Sequence, residues 1–133
     1  MKNGHLTLEQ LEDDVWPAPS FHSGLVTRCH ALRKKPLSDF TTGDLQKMIG
    51  QNIGISFLLS IAIDKLRKNP LVEGDFYAGD LLVSILTRDL SVLHANPSSY
   101  KELMSICHAA LASKEPVLSG ENRMLVQKFI ANT

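Results

Sequence analysis

A chain of 133 residues with fourteen basic and fourteen acidic side chains fits a single domain, residues 1–133, with one sizeable core, and it has no overall field to attract nucleic acid or an anionic membrane. Its longest apolar run, residues 53–63, is about half of what a bilayer-spanning helix needs, and Lys65, Arg67 and Lys68 follow it, so it reads as a core helix. The N-terminus MKNGHLTLEQ lacks the apolar stretch of a secretory signal and the two cysteines, Cys29 and Cys107, lie far apart, which together give the expectation of a cytoplasmic protein with reduced thiols.

In chain order, Thr7 followed by Leu8, Glu9 and Gln10 matches a capping box and starts a brief helix that ends near Asp14. Trp16-Pro17-Ala18-Pro19 breaks the chain, because each proline removes an amide donor and restricts the residue before it. Ser23 then caps a second helix in which Leu25, Cys29 and Leu32 recur at helical spacing, with Arg33, Lys34 and Lys35 at its C-terminal end and Pro36 as its stop. Thr41 or Thr42 caps a third helix that turns Leu45, Met48 and Ile49 inward. Gly50 and Gly54 bracket a turn before the apolar run from Ile55 to Leu66, which is apolar nearly all round in its first half and is therefore expected at the centre of the fold.

Asn69-Pro70 ends that helix, Gly74 to Gly79 forms a turn, and Asp80 opens a fifth helix carrying Leu81, Leu82, Ile85 and Leu86. A short helical turn over residues 90–95 follows, then a helix from Asn96-Pro97 with Tyr100, Leu103, Cys107 and Leu111 as its stripe. A last helix after Pro116 and Gly120 carries Met124, Leu125, Phe129 and Ile130. No segment alternates with period two. The expectation is an all-α, compact single-domain bundle of about six to eight helices around a central apolar helix.

Chemistry is sparse. The pairs Cys29-His30 and Cys107-His108 are adjacent residues, about 100° apart on a helix, whereas zinc ligands within a pair are usually spaced by two to four residues. No metal or cofactor is expected. Asp75 and Asp80 are candidates for acid-base work in a small helical enzyme, set against an Asx-type turn and a helix-start acid as the structural explanation. The segment from Thr41 to Leu66 imitates a helix-turn-helix DNA-binding regulator, yet residues 53–63 of its second helix carry none of the cationic or amide side chains that read DNA. A protein partner is the remaining option: Glu12, Asp13 and Asp14 stand beside Trp16, Glu73 and Asp75 beside Phe76 and Tyr77, and aromatics next to acids suit an interface with a basic protein.

One succession is more specific than these generic features. It runs Leu25-Val26-Thr27, Cys29-His30, Leu32-Arg33-Lys34-Lys35-Pro36-Leu37, Phe40, Asp44-Leu45, Met48-Ile49-Gly50-Gln51-Asn52-Ile53-Gly54, Asn69-Pro70, Glu73-Gly74-Asp75-Phe76-Tyr77 and Gly79-Asp80-Leu81-Leu82. With the opening LTLEQLEDDVW, it resembles the immunity proteins of bacterial contact-dependent growth inhibition (CDI) systems over about residues 6–86. The resemblance implies a small helical cytoplasmic antitoxin, without catalytic residues, that protects its producer by binding the C-terminal toxin domain of a cell-surface effector. It implies a toxin inhibitor acting in bacterial competition against a nuclease, with a ribonuclease of the pancreatic superfamily among the toxins of related members. Blocking of the toxin's active site is the implied mechanism, acids standing in for phosphates, in a one-to-one complex with a monomer and no direct contact with nucleic acid or membrane. Glu12, Asp13, Asp14, Trp16, Glu73, Asp75, Phe76, Tyr77 and Asp80 are the expected toxin-binding residues, while Gly50, Gly54 and Gly79 are assigned to backbone geometry.

Overall fold

The computed structural model describes residues 4–17, 23–88, 91 and 95–131. Its first helix, α1 (Leu8–Glu12), starts at the expected capping box: the Gln10 amide donates to Thr7 Oγ1 at 3.3 Å and the Thr7 amide to Gln10 Oε1 at 2.9 Å. In α2 (Gly24–Leu32), the Val26 amide donates to Ser23 Oγ at 3.0 Å. Pro36 leads into a single 3₁₀ turn, Leu37–Asp39, whose Leu37 and Ser38 amides donate back to the carbonyls of Leu6 and Gly4 at 2.9 and 2.8 Å. Those bonds tie the N-terminal segment to the chain after α2.

Thr41 caps α3 (Thr42–Gly50), and a left-handed Asn52 and Gly54 (φ 61° and 68°) swing the chain into α4 (Ile55–Lys68). Gly50 ends α3 within the helix, so the reversal uses Asn52 where the sequence pointed to Gly50. After the loop of residues 71–79 come α5 (Asp80–Leu86), α6 (Pro97–Ala112) and α7 (Gly120–Ala131). The short helix expected over residues 90–95 falls largely outside the described residues.

The core gathers around α3, which packs on α2, α4 and α5, while α6 lies against α4 and α7, and α7 against α5. Leu45, Met48 and Ile49 of α3 meet Leu58, Leu59, Ala62 and Leu66 of α4 and Leu81, Leu82 and Ile85 of α5 in one buried cluster. The apolar helix α4 shares the centre with α5, which is buried on all sides except at Val83; Ser56, Ser60 and Asp64 give α4 one wet edge. Two apolar side chains expected inside lie outside. Leu25 sits in the exposed first turn of α2, ahead of the packed Cys29 and Leu32. Met124 faces solvent because the buried stripe of α7 runs through Val126 and Phe129, and two residues along a helix is a rotation of about 200°. Among the described residues there is no strand, only an isolated bridge between Glu73 and Ala78, and no helix is long and apolar enough to cross a membrane.

Candidate functional site

The two acid-aromatic clusters have different fates. In the N-terminal one, Arg33 is buried to 1 % exposure at the end of α2, and it draws the neighbouring groups inward. Its guanidinium pairs with Glu12, donates to the Asp14 carbonyl, and lies 4.2 Å from the centroid of the Trp16 ring. Trp16 in turn meets the His30 ring edge-on at 5.2 Å. Lys34 pairs with Glu9 at 2.8 Å, adding a second tie between α1 and the end of α2. Glu12 and Trp16 therefore serve the fold directly. Asp13, left-handed at φ 50°, ends α1, and the side chains of Asp13 and Asp14 remain exposed.

The second cluster is a displayed loop. Asp80 is buried, and its carboxylate accepts the amides of Gly74 (2.7 Å), Phe76 (3.0 Å) and Tyr77 (3.4 Å). Glu73 bridges to Ala78, and the Gly79 amide donates to the Leu71 carbonyl at 3.1 Å. Gly79 holds φ 91°, and a Cβ there would lie 3.2 Å from both Leu118 and Leu71. With its backbone amides drawn in towards Asp80, the loop turns its aromatic side chains out: Phe76 is 66 % exposed and Tyr77 43 %, preceded in the chain by the exposed Glu73 and Asp75. Asp75 lies against the first turn of α3, where a Cβ on Gly43 would come within 2.2 Å of its Oδ1. Asp80, an expected toxin-binding residue, is instead buried, and its carboxylate holds the loop that displays Phe76 and Tyr77.

Beside the loop is a shallow cleft of about 440 Å³ lined by Tyr77, Ala78, Val117, Ser119, Glu121 and Asn122. No sequence signal singles out Val117: the adjoining Leu118 is equally apolar and is buried, while Val117 is exposed.

The chemical alternatives find little support in this arrangement. Burial pushes the Cys107 thiol up to about 12 and raises that of Cys29, so neither is a ready thiolate. No group of three or more His, Cys, Asp or Glu able to hold a metal occurs among the described residues. Asp80 is committed to three amides. Of the helix-turn-helix imitation, α3 and α4 have the right order, but residues 55–63 of α4 present no cation to solvent.

A family model described as CDI immunity proteins matches residues 10–103. The chain belongs to this family. It is an immunity protein for a CDI toxin, in a family that is generally non-enzymatic. No curated protein and no solved structure shows a significant match to the chain. The matched stretch of this CDI immunity protein begins within α1, takes in α2 to α5, the Arg33 cluster and the Asp80-held loop, and stops within α6. The last helix and Val117, Ser119, Glu121 and Asn122 of the cleft lie beyond it.

Proposed function

We propose that this immunity protein neutralises a nuclease toxin, a ribonuclease being the favoured case, by seating the loop of residues 73–77 over the toxin's substrate cleft. Binding takes place in the cytoplasm, one monomer to one toxin domain, without cofactor, metal, direct nucleic-acid contact, membrane contact or catalysis by the immunity protein. The observation that carries this reading is the outward display of Phe76 and Tyr77, directly after the exposed acids Glu73 and Asp75, on a loop already held by Asp80. Aromatics are the usual anchors of interfaces, acids steer a basic partner, and a loop ordered before binding loses little entropy on docking. Asp13 and Asp14 add exposed negative charge at a second position, whereas Glu12, Trp16 and Asp80 contribute by holding the backbone.

Co-expression with the toxin domain encoded immediately upstream tests the reading. The expected outcome is restored growth, a one-to-one complex by light scattering, and suppression of nuclease activity that competes with substrate. A complex that still cleaves a short oligonucleotide at the free-toxin rate would place inhibition elsewhere than the active site.

A further inference from the structure

The cleft beside the loop has a composition that selects for one kind of occupant. Its six lining residues include one charged group, Glu121, and no lysine or arginine. The exposed acids Glu73 and Asp75 lie on the adjoining loop, and Tyr77 contributes to the wall. Val117, 61 % exposed, adds an apolar patch. Met124, 69 % exposed, lies three residues beyond Glu121 and hence on the same face of α7. An acid, a phenol ring and aliphatic surface together match a cation on an apolar stem: the carboxylate meets the head, the ring attracts it through its face, and the aliphatic groups cover the methylenes.

The walls are held in place. Leu118, buried between the exposed Val117 and Ser119, is the side chain that closes on Gly79 at the base of the loop. Ser113 Oγ donates to the Pro116 carbonyl at 2.6 Å, and the Arg123 amide donates to the Ser119 carbonyl at 2.7 Å, fixing both ends of the 113–119 connection.

We infer that this cleft is a specificity pocket of the toxin-binding surface and takes a single lysine or arginine side chain of the cognate toxin. The inference rests on the proposed docking of the 73–77 loop, and it divides the work. The loop, inside the family-matched stretch, supplies the anchor, and the cleft, built mostly from residues beyond that stretch, chooses among toxins.

The test uses the full-length chain and the toxin domain encoded upstream, with affinities measured at low and moderate salt for wild type, Phe76→Ala, Glu121→Gln, Glu121→Lys and the remote control Glu102→Gln. The pocket predicts about tenfold weaker binding for E121Q with a shallower salt dependence, and a larger loss for E121K that is recovered by reversing one toxin lysine or arginine to glutamate. E102Q should bind as wild type. If F76A weakens binding while both Glu121 variants match wild type, the pocket is overturned and the loop stands. Wild-type binding by all three loop and cleft variants would overturn both, and tighter binding by E121K would show that the cleft takes an anion and overturn the pocket as described. Unchanged melting temperatures for the Glu121 variants, whose side chain is exposed, keep these outcomes free of folding effects.

Discussion

Asp44 shows how much a single side chain carries in this protein. It is fully buried at the third position of α3, where its Oδ2 accepts the Thr41 amide at 3.0 Å and Lys35 Nζ at 2.7 Å, and its Oδ1 accepts Arg28 Nη2 at 2.8 Å. Burial pushes its carboxyl up, but the hydrogen bonds from Lys35, the Thr41 amide and Arg28 outweigh burial and bring it down to about 2. Because the folded value lies below the ordinary one near 3.8, the stabilisation is complete above that value and is lost as pH falls through about 2. The depression corresponds to about 2 kcal/mol. Asp44→Asn should therefore lower stability at neutral pH by about that amount and flatten the stability profile between pH 4 and 2, as read by urea unfolding across that range. The sequence disclosed Asp44 only as a first-turn acid. That two cations from α2 and its exit converge on it depends on how α2 crosses α3, a tertiary relation that no local pattern contains.

Among the elements, the loop of residues 71–79 behaves as one unit organised by the first residue of the helix that follows it. Asp80→Ala removes the acceptor of three amides, and the predicted result is a stability loss of about 2–4 kcal/mol together with faster hydrogen exchange at Gly74, Phe76 and Tyr77. Exchange at these amides unchanged from wild type would contradict the clamp. Helix starts were legible at Thr7, Ser23, Thr41, Asp80 and Asn96-Pro97, because caps and breakers act locally. Faces are less legible where a helix is short or amphipathic on a narrow stripe: spacing alone puts Leu25 and Met124 inside, whereas the stripe of α7 through Val126 and Phe129 turns Met124 out. The exposed Phe76 and Tyr77 were legible as residues of interest but not as exposed ones, since an aromatic pair in a turn is equally common in cores.

For the molecule as a whole, a formal net charge of zero leaves the steering required by the proposed docking to local acids, and the association rate should fall with salt less steeply than for a strongly acidic inhibitor. All-helical architecture and family membership were both readable from the chain, the first from periodicity and the second from the motif succession now covered by the family match. Of the candidate site, the residue types were legible and their placement was not. Of the nine expected residues, Glu12, Trp16 and Asp80 are engaged in internal contacts and Asp75 lies against α3, and residue type alone does not separate these from the outward Phe76 and Tyr77 because acids and aromatics serve cores and interfaces alike. The most direct test is calorimetric titration of the upstream-encoded toxin domain with wild type and with the Phe76→Ala/Tyr77→Ala double variant, melting temperatures being measured in parallel. Loss of two exposed anchors should weaken binding by about 100-fold or more with little change in Tm, whereas wild-type affinity in the double variant would contradict the account.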